Sequence, residues 1–244
     1  MSLRAPYTGV ENLTVQRGDR FGRRARDVLS GLTWRVPEVR RTVLLGANGA
    51  GKTTLVETLA GLRKPTRGAV RGKETVAFVA QHAGRYRGLR VAEQVRYSAW
   101  LAGRDRTGLD AHVDAALDLT DLVGLRNRPV HHLSGGEARR LALAEGLAAP
   151  GDLLILDEPT AGLDPMQRAL FHHALERVDR PTLVTTHLVE GLLSEADHVA
   201  LLDAGQILFD GAPSEFVTVD GRVHSPETAF AVRVQRSRGG EWVC

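Results

Sequence analysis

Cysteine is almost missing from this chain: the 244 residues include one, Cys244. A lone cysteine rules out an intrachain disulfide and any cysteine-built metal site. Lysine is nearly as scarce, at Lys52, Lys64 and Lys73, so arginine carries the positive charge. Aromatic residues make up only 5%. Neither charge sign dominates: 32 Lys+Arg against 29 Asp+Glu leave +3, too small a surplus to argue for nucleic acid. No apolar run approaches the roughly 20 residues of a membrane-spanning helix. Leu153–Leu156 is typical of the runs present, and it is strand-sized. Residues 1–10 lack the apolar core of a signal peptide. These absences predict a soluble, cytosolic chain, and 43% hydrophobic residues suffice for a sizeable core.

What is present is patterned. Leu13 and Val15, then Leu32, Trp34 and Val36, alternate with polar neighbours, and Thr42–Leu45 is a short apolar run. These predict strands within 11–45, with the arginine-rich stretch Arg17–Arg26 as a solvated loop. Leu55, Leu59 and Leu62 have helical spacing, and 70–81 reads as a hairpin. Further helices are expected over 91–102, 112–123, 136–149, 166–178 and 189–195. Strands are expected at 153–156, 182–186, 199–202 and 206–209. The order, antiparallel β first and then β/α alternation broken by a helical insertion, predicts an α/β fold with a mixed or parallel sheet. One domain is expected over 1–220, with a helical subdomain at about 82–146. Residues 221–244 read as a short C-terminal extension with weak structure signals.

Three motifs carry chemistry. Gly46-Ala47-Asn48-Gly49-Ala50-Gly51-Lys52-Thr53 lies between an apolar strand and an amphipathic helix and is followed by Thr54. Glycines in this setting let successive N–H groups curl around phosphate oxygens at a helix start. Lys52 is expected to reach the β- and γ-phosphates, and the Thr53 hydroxyl to ligate Mg²⁺. Leu153–Leu156 leads into Asp157 and Glu158, whose side chains point to opposite sides of a strand. They can divide labour, Asp157 holding Mg²⁺ through water and Glu158 aligning the attacking water. Ser134-Gly135-Gly136-Glu137 opens the long helix. Ser134 and Glu137 form a capping-box pattern, which accounts for the serine and glutamate. It does not account for paired glycines at a helix start, which suggest a ligand approaching the backbone.

With Thr186-His187, these motifs resemble ATP-binding cassette ATPases over about residues 11–215. The resemblance implies a phosphate-loop NTPase core with an N-terminal antiparallel β subdomain and an α-helical insertion. It implies that ATP and Mg²⁺ bind, that Gln81 is the coupling-loop glutamine near Mg²⁺, and that His187 contacts the γ-phosphate. Ala161–Asp164 would be the inter-subunit loop, and two cassettes, identical or different, would pair head to tail. Because the chain has no span, the resemblance implies a separate membrane permease subunit, with the cassette peripheral on its cytoplasmic face. Residues 88–100 resemble bacterial export-type cassettes. An iron–sulfur assembly ATPase is the rival reading. The family's adenine-stacking aromatic falls at Arg17, with Phe21 as the alternative. Glu145 stands where the family commonly has arginine.

Overall fold

The computed structural model describes residues 8–18, 26–72, 75–81, 84–189, 191 and 193–239. Its elements are β1 (Gly9–Arg17), β2 (Arg26–Arg35), β3 (Arg41–Leu45), α1 (Lys52–Leu59), β4 (Arg67–Arg71) and β5 (Val76–Val79). There follow α2 (Val91–Leu101), α3 (Leu109–Leu119), α4 (Gly135–Ala148), β6 (Leu153–Asp157), α5 (Pro165–Glu176) and β7 (Thr182–Thr186). The chain closes with β8 (His198–Asp203), β9 (Gln206–Gly211), α6 (Pro213–Val217), β10 (Thr218–Val219), β11 (Arg222–Val223) and α7 (Pro226–Ser237). Contacts divide it into two units, residues 1–74 with 181–244, and residues 75–180.

The first unit holds an antiparallel sheet in the order β2-β1-β4 and the mixed strand set β7-β3-β8-β9. In β1, Val10, Leu13 and Val15 are buried and face Trp34, Leu32 and Leu29 of β2. Asn12 takes φ 48° where the register shifts, so the alternation skips a residue there. β3, β7 and their neighbour β8 are parallel, and every residue of β3 and β7 is buried. Strands covered on both faces read as continuous apolar runs, which is why Thr42–Leu45 lacks alternation. β9 closes the edge antiparallel to β8.

The second unit pairs β5 with β6 in parallel and packs α2, α3 and α4 around a small core of its own. Val91, Val95, Val113, Leu117, Leu122 and Leu141 form that core. α4 lies close against the strands because position 146 is glycine: a Cβ there would sit 2.5 Å from Val79 Cγ2. The end of α4 is closed by two arginines. Arg180 donates to the carbonyls of Gly146, Ala149 and Gly151 at 2.5, 3.1 and 3.2 Å, and Arg104 to those of Ala148 and Ala149 at 2.9 and 3.0 Å. Cationic donors suit these carbonyls, which have no partner within the helix.

Three sequence expectations are corrected. Residues 70–81 are not a hairpin: β4 pairs with β1, β5 pairs with β6, and the boundary between units falls between them. The helix expected at 189–195 is, among the described residues, a 3₁₀ turn at Leu193–Glu195. The tail is structured through α7. Ser225 caps it by accepting the Thr228 N–H at 3.3 Å, Pro226 opens it, and Ala229 and Val232 are buried. Arg233 lies 4.3 Å over the Phe209 ring, and Arg238 pairs with the buried Asp203 at 2.8 Å. An apolar stripe this narrow on an arginine-bearing helix gives little periodic signal.

Candidate functional site

In the first unit the residues expected to bind phosphate follow the C-terminal end of β3. Leu45 is in register with Thr186 of β7, and the Gly46 N–H donates to the Thr186 carbonyl at 3.3 Å. That pairing puts Gly46 and His187, the next residue along each strand, side by side; His187 is half-buried. The Ala50 carbonyl accepts the Gly205 N–H at 3.1 Å, which pins the loop to the β8–β9 turn. A Cβ at Gly46 would lie 2.4 Å from the Leu202 carbonyl oxygen. Gly51 holds φ 109° as the residue before α1, and a Cβ there would crowd Leu29 Cδ2 at 2.9 Å. Asn48 and Gly49 form the exposed tip.

Lys52 is 6% exposed. Its Nζ donates to the carbonyls of Gly46 and Ala47 at 2.6 and 3.2 Å, which holds the ammonium inside the loop it would serve. Thr53 is half-buried and Thr54 buried. Arg17 ends β1, exposed and opposite Arg26, and Phe21 lies outside the described residues.

In the second unit the carboxylates lie at the C-terminal end of β6. Asp157 is 2% and Glu158 6% exposed. Glu158 takes φ 47°, a left-handed conformation that costs a non-glycine residue about 1–3 kcal/mol. Strain of that kind concentrates where a side chain must be held in one direction. Val79 of β5 is in register with Leu156, so Gln81 leaves the same end of this strand pair as the two acids. Arg139 of α4 donates one N–H to the Gln81 carbonyl and another to the Ala161 carbonyl at 3.3 Å. One guanidinium thus ties Gln81, the long helix and the segment after Glu158. Sequence reasoning missed it, because arginine in a helix gives no hint of bonding backbone elsewhere.

The start of α4 answers the question its glycines raised. Ser134 Oγ accepts the Glu137 N–H at 3.2 Å, and the Glu137 carboxylate accepts the Ser134 N–H at 2.7 Å. The Ser134 backbone N–H chiefly holds the Glu137 carboxyl below its ordinary pKa, with Arg128 and Arg140 adding to it. Gly136 is buried under the Gln167 amide, whose oxygen would lie 1.7 Å from a Cβ at that position. Gly136 therefore has a packing reason within its own unit. Gly135 is different: it is exposed, and among the described residues nothing beyond its chain neighbours and its own helix backbone comes within 4 Å of where a Cβ would sit. Ser134 and Gly135 are the accessible part of the motif.

Glu145, further along the same helix, also acquires a physical account. It receives a hydrogen bond from Gln94 Nε2 and another from Ser98. Burial raises its carboxyl from 4.5 to about 7, only partly offset by those two bonds.

The family model described as ABC transporter matches residues 29–161, more than half of the chain. An ABC transporter ATP-binding protein of Streptomyces avermitilis is 35% identical over 218 residues, covering 83% of each chain. The zinc import ATP-binding protein ZnuC of Alkalilimnicola ehrlichii is 36% identical over 230 residues, 89% of this chain and 84% of its own. A solved dimeric bacterial ABC transporter cassette superposes with TM-score 0.74 at 20% identity, over 84% of this chain and 98% of that one. The chain belongs to the ATP-binding cassette family of ABC transporters. It is an ATPase that uses ATP and Mg²⁺. Among the described residues no helix is long and apolar enough to cross a membrane.

The residues fit those ligands. The loop offers an ammonium, a helix start and a strand-end cradle in which Cβ atoms at Gly46 and Gly51 would collide. Thr53 in the first unit and Asp157 in the second each carry an oxygen of the hard kind that Mg²⁺ prefers.

Two outcomes are expected. Lys52→Ala should weaken Mg²⁺-ATP binding roughly ten- to a hundredfold, as loss of a charge-assisted hydrogen-bonding group costs about 1.5–3 kcal/mol. Calorimetric titration checks this, and unchanged affinity overturns it. The second outcome concerns Glu145, which keeps its proton to about pH 7 when folded and loses it near 4.5 when unfolded. Its contribution to stability is therefore full below pH 4.5 and is lost as pH rises through 7. Glu145→Gln should be more stable than the parent by about 2–3 kcal/mol at pH 8 and nearly equal at pH 4. Urea unfolding at both pH values reads the difference, and a pH-independent difference would contradict it.

Proposed function

We propose that this cassette powers transport through a separate integral membrane subunit, binding and hydrolysing ATP at the residues that follow its parallel strands. The observation that carries the reading is positional. Lys52 and His187 follow paired strands of one unit, and Gln81, Asp157 and Glu158 stand at the ends of paired strands of the other. Ligands of open α/β sheets bind at the carboxyl ends of such strands.

In this reading Lys52 and the loop N–H groups neutralise the β- and γ-phosphates, and His187 contacts the γ-phosphate. Thr53, Asp157 and Gln81 serve the Mg²⁺ site, where the ion would offset charge on the transferring group. Glu158 orients the attacking water and takes its proton. Ser134 and Gly135 offer a serine hydroxyl and an open helix start to the γ-phosphate of a second cassette, identical to this one or different. Hydrolysis removes that bridge and separates the pair. Arg17 or Phe21 meets the adenine.

Val91 and Val95 are fully buried in the helical core and are not available to a partner. What α2 and the preceding loop present is a ladder of exposed rings, Tyr86, Tyr97 and Trp100, at 45%, 41% and 46% exposure. Tyr86 meets Tyr97 edge to face at 5.6 Å, and Trp100 follows at 6.1 Å. Exposed aromatic clusters of this kind mark binding surfaces. The ladder supports a membrane subunit landing there, with the cassette on the cytoplasmic face. Residues 88–100 support export, and the name of the zinc-import relative supports import; an extracellular binding protein encoded beside the partner would decide for import.

Glu158→Gln should keep ATP binding, stop hydrolysis and accumulate an ATP-bound dimer on size exclusion. Trp100→Glu should break co-purification with an integral membrane protein while ATP affinity holds. Normal hydrolysis by Glu158→Gln overturns the catalytic assignment. Recovery of soluble assembly factors alone would favour the iron–sulfur rival.

A further inference from the structure

The second unit contains a cavity of about 520 Å³ that the nucleotide chemistry does not use. Its walls are largely apolar or backbone, with Phe78, Ala102, Ala142 and Pro150 among them, and Tyr86 and Ser98 at the loop and α2 sides. Among the described residues one carboxylic acid lines it, Glu145, and no Lys, Arg or His does. Among the described residues the carboxyl meets neutral donors alone, the Gln94 amide and the Ser98 hydroxyl. A carboxyl held among neutral groups at an apolar wall is destabilising in isolation, which is the mark of a group kept for something outside the chain.

We propose that this cavity receives one Arg or Lys side chain from a cytoplasmic segment of the membrane subunit, with Glu145 as its counter-ion. The inference rests on the transporter reading above and adds the chemistry by which this cassette selects its partner. Charge complementarity identifies the cation, and the apolar walls suit the methylene stem of a long basic side chain. The cavity's continuity with the aromatic ladder identifies the carrier: Tyr86 lines the cavity and meets Tyr97 edge to face. A segment lying along the rings therefore reaches the carboxylate, whereas a free amine would have no use for them.

Gln94 gives the contact a way to be felt. It is buried, and its amide donates both to Glu145 and to the Gly84 carbonyl at 2.9 Å. Its oxygen accepts the Tyr86 N–H at 3.0 Å. A cation drawn to Glu145 thus competes for the group that holds the loop shortly after Gln81.

The test uses the full-length cassette co-expressed with its membrane partner and extracted together in detergent. Co-purification with the unmodified chain is the reference. Glu145→Gln should lower recovery of the partner about tenfold or more, as breaking a buried charge pair speeds dissociation. ATP affinity should be unchanged in that variant. Glu145→Lys should abolish recovery, and substitution of one partner Arg or Lys by Glu should restore it. A photo-reactive side chain placed at Ala102 should cross-link to the segment carrying that residue. If Glu145→Gln and Glu145→Lys both recover the partner as the parent does, the inference fails and the transporter reading stands. If the parent recovers no integral membrane protein, the transporter reading fails and the inference with it.

Discussion

Main-chain pairing between buried parallel strands governs where chemistry can occur in this protein. A parallel strand covered on both faces favours apolar residues and threonine along its middle and leaves little room for reactive side chains. The groups singled out for chemistry stand where the strands stop. Gly46 and His187 do so after Leu45 and Thr186, and Gln81 and Asp157 after Val79 and Leu156. The Gly46–Thr186 hydrogen bond is the smallest expression of this constraint, since it extends the pairing by one residue and sets the first turn of the phosphate loop.

The scarcity of lysine acquires meaning beside this geometry. Arginine's planar fork can bond several carbonyls at once, and Arg104, Arg139, Arg180 and Arg233 all do so. Lys52 has a compact ammonium on a flexible stem, able to rest on two carbonyls and suited to a phosphate. The two kinds of cation therefore have different roles. Guanidinium forks stitch backbone segments together, and a point charge sits in the loop Gly46–Thr53.

Much of this was legible in the sequence. Short apolar runs located β3 and β6, and the residues following them, like those following β7, were the ones singled out for chemistry. The failures have a common cause in tertiary context. Apolar residues at 70 and at 76–79 look like two arms of a hairpin, but they choose different partners, and local pattern does not encode that choice. The glycine at 136 resembled a ligand site because the side chain that covers it, Gln167, is 31 residues away. α7 was hidden because its buried stripe is short and its arginines point to acids elsewhere, at Asp203 and Asp220.

The division of the chain also bears on how it is made. The first unit is interrupted: residues 75–180 are synthesised between its two halves. Strand β3 finds its neighbours only when β7 and β8 appear, about 140 residues later for the pair Thr42 and Leu183. At about 5–20 residues per second, a strand destined for full burial waits roughly seven to thirty seconds without a partner on either edge. The intervening unit has a core of its own and short-range helix contacts, so it can condense while β3 is still waiting. On the ribosome the loop Gly46–Thr53 therefore lacks the partners that shape it until residues near 205 have been made, although it lies in the first quarter of the sequence.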